Sequence, residues 1–233
     1  IKLHFKTSMP KDKVDIVATG PILNKIIGID KGIIFKTKMP DMAIALFNNK
    51  AAYKGYSYLL ITYGYGCMCT AIADKFEKLN SCFEETKKIF SKIIDLDIKE
   101  FKIVGGIACF SLKNQFKQNN AFIVGEAAGL QDASAGFGMR SAIVSGYLAS
   151  QSIIHNKNYE KLAKNYFNNK LKASLVLRFL WEKITFNNYS FILKRIKTKK
   201  NIFGFLYSYY NFNFIEKIIY PFVWFYMKIK SRI

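Results

Sequence analysis

Acidic residues are scarce in this chain of 233 residues: 16 Asp plus Glu stand against 36 Lys plus Arg, a formal net charge of +20. Four sources of that excess stand open: nucleic acid, an anionic membrane surface, an acidic partner, or an AT-rich genome. The abundance of Lys, Asn, Ile, Phe and Tyr fits the last. No DNA- or RNA-binding motif accompanies the charge, so no nucleic-acid partner is expected. Histidine is nearly absent, with only His4 and His155. Cys67, Cys69, Cys82 and Cys109 form no Cys-x-x-Cys pair, so no metal centre is expected. The cysteines read as reduced, buried, small hydrophobes of a cytosolic protein. No apolar run reaches ~18 residues without a charge, so no spanning helix is expected. Internal repeats and low-complexity linkers are missing too. The chain opens at Ile1 rather than at a methionine and is expected to be the later part of a longer protein. What is present suffices for a core: 51% of residues are hydrophobic, and the length suits one large domain or two small ones.

One stretch organises the rest. Phe122, Ile123 and Val124 are apolar and β-branched or aromatic, as in a buried strand. The strand meets Gly125 and the carboxylate of Glu126. A loop of small residues with Gly129, Gly136 and Gly138 follows. Small and apolar residues then recur at Met139, Ala142, Ile143, Gly146, Tyr147 and Ser150, a helical spacing. A helix start presents unpaired N–H groups and the positive end of a dipole, which suits an anion or a polarised carbonyl. Glycines there admit a ligand to the backbone, and Gly146 with Ser141 and Ser145 would let the helix pack tightly on a sheet or a cofactor. An ordinary strand–loop–helix connection is the other reading of the same pattern.

The wording Val124-Gly125-Glu126-Ala127-Ala128-Gly129, then Gly136-Phe137-Gly138-Met139-Arg140-Ser141-Ala142, then Ser145-Gly146-Tyr147-Leu148-Ala149 resembles the second flavin-contacting motif of FAD-dependent oxidoreductases. The likeness is to the geranylgeranyl reductase family, on the p-hydroxybenzoate-hydroxylase fold. That family usually has Gly-Asp where this chain has Gly125-Glu126. The resemblance implies that Glu126 accepts a hydrogen bond from the ribityl chain of FAD. It also implies that Gly125, Ala127, Gly136, Gly138 and Met139 lie along the cofactor. Val14 to Thr19 reads as a buried strand closed by the turn Gly20-Pro21. By the same resemblance Ala18-Thr19-Gly20 marks the return of the chain to the FAD domain, with Thr19 and Gly20 beside the cofactor.

Elsewhere, Leu23 to Gly28 is expected as a short helix closed by Gly28. Met42 to Phe47 is expected as a strand, and Tyr56–Tyr63 with Cys67–Ala73 as a hairpin about Gly64-Tyr65-Gly66. Gly55-Tyr56-Ser57-Tyr58 stands where the family has Gly-Tyr-x-Trp beside its substrate cavity, which implies substrate contact by Tyr56 and Tyr58. Alternating aromatic residues packed on one strand face account for them as well. Ser81-Cys-Phe-Glu84 suggests a capping box at the head of an amphipathic helix carrying Phe83, Phe90, Ile93 and Ile94. Ile103 to Phe110 reads as a strand interrupted at Gly105 and Gly106, by a bulge or by the approach of a ligand; Gly105 is a candidate substrate contact. From Gln151 onward there are sixteen Lys plus Arg, three Glu and no Asp. Asn158 to Thr185 is expected to be helical. The aromatic, lysine-flanked stretch around Ile218 to Phe225 suits either an interfacial membrane helix or a packed C-terminal region.

The expected fold is mixed α/β. Residues 1–35 and 101–155 would form part of a Rossmann-like FAD-binding domain, 36–100 an antiparallel substrate-side sheet with one helix, and 156–233 a basic, aromatic helical region. The Gly-x-Gly-x-x-Gly pyrophosphate motif of such domains does not occur in this chain. The resemblance implies an FAD-dependent oxidoreductase that reduces double bonds of an apolar, isoprenoid or lipid-like substrate. NAD(P)H or a ferredoxin-type protein would be its electron donor, and its place would be the cytoplasm or the membrane surface. A flavin monooxygenase or halogenase is an alternative on the same fold. A non-enzymatic, membrane-associated remnant is another.

Overall fold

A computed structural model describes residues 14–21, 26–111, 114–184 and 189–229. The architecture is mixed α/β, with a three-stranded sheet, a five-stranded antiparallel sheet and helices over both. The small sheet contains β1 (Ile16–Val17), β7 (Lys117–Gln118) and β8 (Ala121–Ile123). The large sheet has the order β3-β4-β5-β2-β6, from β2 (Ile26–Lys36), β3 (Met42–Leu46), β4 (Tyr56–Thr62), β5 (Tyr65–Ile72) and β6 (Lys99–Cys109).

β4 and β5 form the expected hairpin. Its turn needs left-handed backbone at Tyr63 (φ 48°) and Gly64 (φ 77°), a pair of positive φ values that suits the twist of a two-residue hairpin. The Asp41 carboxylate holds that turn by accepting from Thr62 Oγ1 and Tyr63 N, each at 3.1 Å.

Four expectations change. Gly28 lies in β2 rather than at a helix end, and residues 22–25 fall outside the described residues. A Cβ at Gly32 would come 2.5 Å from the Met68 carbonyl oxygen, and one at Gly28 3.2 Å from that of Ile72. These glycines therefore serve close approach of β5 in the sheet. The large sheet accordingly extends past 36–100, because β2 and β6 flank it. No bulge occurs at Gly105-Gly106; the register shifts between β2 and β6 lie at Ile26/Gly28 and Ile34/Lys36. Helix α1 (Leu79–Ile93) begins before Ser81, so Ser81 and Glu84 form no capping box. Instead Ser81 Oγ donates to the Lys78 carbonyl at 2.9 Å.

α1 buries Cys82, Phe83, Thr86 and Phe90, one stripe of a 3.6-residue helix, against the sheet. Ile33, Phe35, Leu59, Ile61 and Met68 meet Phe83 and Phe90 there. Thr86 Oγ1 bonds Ser57 Oγ (2.7 Å), Thr70 Oγ1 (2.6 Å) and the Ala51 carbonyl (3.1 Å), so this face is satisfied internally. Ile93 remains exposed.

A second core joins the small sheet to α2 (Met139–Ile154), α3 (Tyr159–Ile184) and α6 (Phe214–Ile229). Ile123, Leu130, Ala149, Tyr159, Leu175 and Val223 are buried in it. The expected helix 158–185 is α3, with Thr185 outside the described residues. Two shorter helices, α4 (Tyr189–Lys197) and α5 (Ile202–Ser208), precede α6. No described helix is long and apolar enough to cross a membrane.

Candidate functional site

β1 and β8 run parallel, with Ile16 opposite Phe122 and Val17 opposite Ile123. Their carboxyl ends therefore lie side by side. Thr19 and Gly20 leave one strand; Gly125 and Glu126 leave the other. Crevices outside the carboxyl ends of parallel strands are where α/β sheets bind ligands. β1 is shorter than expected and half-buried.

Gly125 opens a 3₁₀ turn, Gly125–Ala128, with φ +62°. Its N–H donates to Ser145 Oγ of α2 at 2.8 Å, and a Cβ there would come 3.3 Å from that of Ala142. Ser145 thus ties the strand end to the helix. The Glu126 carboxylate is half-buried and accepts from the Cys109 N–H at 3.4 Å. Burial raises its pKa above the ordinary carboxylate range, partly offset by that N–H. The Cys109 N–H also donates to Gln131 Oε1, at a shorter 2.8 Å. Ala127 is buried behind the turn.

The glycine-rich loop is fastened from several sides. Gln131 Nε2 donates to the Gly136 carbonyl at 2.9 Å. Asp132 Oδ1 accepts from Ser134 Oγ (2.7 Å) and Ala135 N (2.6 Å). Asn114 Nδ2 lies 3.0 Å from the carbonyls of both Ala128 and Gly129. The Ala133 N–H donates to Ser174 Oγ of α3 at 3.1 Å. Arg178, also on α3, donates to the Ser134 carbonyl at 3.4 Å, to the Lys54 carbonyl at 2.8 Å and to Glu182 Oε1 at 2.8 Å. Through Arg178 the loop is linked to the loop ahead of β4.

The mouth of the loop is open. Gly136 has φ +73°, and an added Cβ would have nothing nearer than 3.8 Å. Gly138 has an ordinary φ of −122° and caps α2 without a side-chain bond. A Cβ there would meet nothing closer than Gln131 Cγ at 3.9 Å. Met139 is 86% exposed at the first turn of α2, and the N-cap supplies no side-chain bond to the N–H groups of that turn. The stripe read from the sequence also points outward: Ile143 and Tyr147 are exposed, while Ser145, Ala149 and Ser152 form the buried side. An added Cβ at Gly146 would meet nothing within 4 Å, so Gly146 makes no tight contact.

The large sheet presents its other face to this loop. Tyr56 donates its hydroxyl to the Ala135 carbonyl at 2.8 Å, and its ring centroid lies 6.5 Å from that of Phe137 and 6.2 Å from that of Tyr58. Burial pushes the Tyr56 phenol up to about 12. Tyr58 is raised further, by burial first and then by neighbouring Cys69. Cys69 Sγ donates to Asp30 Oδ1 at 3.7 Å, and burial raises both groups, the thiol to about 12. Strand register puts Tyr56, Tyr58, Cys69 and Asp30 on one face. Gly105 is not with them. It pairs with Lys31 and shares the opposite face, whereas a Cβ on Gly106 would lie 3.0 Å from Asp30 Oδ2.

Asp30, Gln131, Asn114 and Arg178 were not singled out from the sequence. A lone acid in the apolar run Ile26–Phe35 was the available signal for Asp30. The other three act on backbone groups distant in sequence and leave no local signature. Among the described residues, no three His, Cys, Asp or Glu side chains converge as a metal site.

No family model matches the chain, and no curated protein matches it in sequence. Solved structures do match. A geranylgeranyl bacteriochlorophyll reductase-like protein from Thermoplasma acidophilum superposes with a TM-score of 0.61 and 20% identity, over 88% of this chain and 55% of its own. The flavin-dependent brominase Bmp2 superposes with a TM-score of 0.56 and 10% identity, over 87% of this chain and 56% of its own. The chain thus shares the fold of part of this reductase-like protein and of this brominase, spanning a little over half the length of each.

Proposed function

We propose that the protein to which this chain belongs is an FAD-dependent oxidoreductase that reduces double bonds of an apolar, isoprenoid or lipid-like substrate. The observation that carries the reading is the pair of parallel strands whose ends lead to Gly20 and to Gly125-Glu126, followed along the chain by the glycine-rich loop and the uncapped start of α2. The residues suit the flavin half of FAD. Glu126 supplies an acceptor for ribityl hydroxyls. The α2 start supplies N–H donors and a positive dipole end for the polar edge of the ring. Gly136 and Gly138 leave room where a Cβ would intrude. The bound flavin would supply the two-electron chemistry, drawing on NAD(P)H or a ferredoxin-type donor. Tyr56, Tyr58 and Phe137 would form an aromatic wall for an apolar substrate. The Tyr56 hydroxyl is committed to the loop backbone, so its role is to hold the loop.

A test uses the protein from its whole reading frame. Gly138→Val is expected to keep the fold, since its backbone φ is ordinary and the space is empty, and to lose most bound flavin. Full flavin occupancy in that variant would contradict the placement. The likeness to a brominase supports a second reading, oxygen-dependent halogenation or oxygenation. Alkene reduction without oxygen favours the reductase. Product formation that needs oxygen, with or without halide, favours the second.

A further inference from the structure

Helix α6 leaves a long apolar stripe uncovered. Phe214, Ile218, Phe222, Phe225 and Ile229 recur at helical spacing, and each is between 58% and 76% exposed. The opposite side of the helix, with Val223 and Met227, is buried against the core. α5 adds Phe203, which is 86% exposed, and Leu206.

The charge around these residues has one sign. From Lys183 to Ile233 there are ten Lys and Arg and a single acid, Glu216. Glu216 is 5% exposed and spends its carboxylate on the helix cap. Its Oε2 accepts from the Asn213 N–H at 2.7 Å, while Asn213 Oδ1 accepts from the Glu216 N–H at 3.0 Å, a reciprocal capping box. The exposed side of α6 therefore carries no acid. Lys194, Arg195, Lys197, Lys199 and Lys200 are all exposed ahead of α5. Arg195 and Lys199 rest on the Phe205 ring at 5.8 and 5.1 Å, and Lys228 rests on Trp224 at 5.0 Å. Such pairs keep a cationic head beside an apolar, aromatic body.

We infer that the α5–α6 surface docks on an anionic lipid bilayer, with the α6 stripe lying in the interface and the basic cluster against the headgroups. An apolar stripe favours the acyl boundary, and unopposed lysines favour acidic headgroups. An acidic protein would match the charge but gives no reason for five large exposed apolar residues in one line.

The test is vesicle flotation of the protein from its whole reading frame. The probes are phosphatidylserine–phosphatidylcholine vesicles and phosphatidylcholine vesicles alone. Binding is expected to the former, weaker to the latter, and to fall with added salt. Ile218→Glu with Phe225→Glu is expected to abolish flotation while leaving the thermal transition in place, because both side chains are exposed. Each basic residue of the 194–200 cluster reversed to Glu is expected to weaken binding roughly fivefold or more. Two results would overturn the inference: no flotation with either vesicle, or a double variant that floats like the parent. A dimer in solution that the double variant dissociates, without vesicle binding, would assign the stripe to a second copy and overturn it equally.

Discussion

On one face of the large sheet, Ile33, Phe35, Leu59, Ile61 and Met68 close against Phe83 and Phe90 of α1, and a buried Ser57–Thr70–Thr86 hydroxyl cluster satisfies itself. On the other face, Tyr56, Tyr58 and Asp30 are half-buried, Leu60 and Ile34 are exposed, and the nearest cover is the glycine-rich loop. The strands are the same; the alternation of side chains separates a closed face from a partly open one. Among the described residues, no buried side-chain polar atom on the first face lacks a partner. The second gathers a carboxyl, a thiol and two phenols whose pKa values are all raised by burial.

The difference predicts where substitutions hurt. Phe90, fully buried, should cost about 3–5 kcal/mol as Phe90→Ala, read as a fall in the urea midpoint. A loss below about 1 kcal/mol would mean that the closed face is looser than described. At the junction of the two cores, Arg178→Ala takes from Glu182, whose side chain is 4% exposed, its 2.8 Å ion pair, and is expected to cost about 3 kcal/mol. Lys54, 3.7 Å from Glu182, softens the loss. Thr86→Val should cost about 1–3 kcal/mol, by removing the shortest hydroxyl partner of both Ser57 and Thr70 and leaving them only the longer bond to each other and that of Ser57 to the Ala51 carbonyl. On the open face, Tyr58→Phe should change stability by less than about 1 kcal/mol and show its effect on substrate affinity instead. A large stability loss there would erase the contrast between the faces.

Acid–base behaviour sharpens the same comparison. Asp30 on the open face, with Glu126 and Asp132 in the loop, has a pKa raised chiefly by burial. The folded state then binds more protons than the unfolded chain through and just above the ordinary carboxylate range. Stability should therefore fall as pH rises through the raised values, and level off above them. Asp132→Asn retains the Oδ1 acceptor and removes the charge. It should flatten that slope in unfolding curves taken across acid and neutral pH.

Much of this was legible in the sequence because the signals were local. Gly64 between two alternating runs gives the hairpin, and the run Phe122–Val124 before Gly125-Glu126 gives β8 and the turn into α2. Gly28 resembles a helix stop but lies in β2, where it packs closely on β5, and at Gly32 in the same strand a Cβ would clash with the Met68 carbonyl. Ser81-Cys-Phe-Glu84 has capping-box spacing but lies inside α1, whereas Asn213 and Glu216 form a reciprocal box at the head of α6. The face assignment of Gly105 against Gly106 depends on sheet register, which no single strand reveals. The clamps from Asn114, Gln131 and Arg178 act across the fold, so only the structure brings them to the loop.

We propose that a flavin binds between Gly20, Glu126 and the α2 start. The direct measurement is the visible absorption spectrum of the protein purified from its whole reading frame, followed by denaturing release and identification of the cofactor. Flavin absorption with FAD in the released fraction is the expected result. A colourless protein that also fails to take up added FAD would contradict the claim and leave the glycine-rich loop as a structural connection.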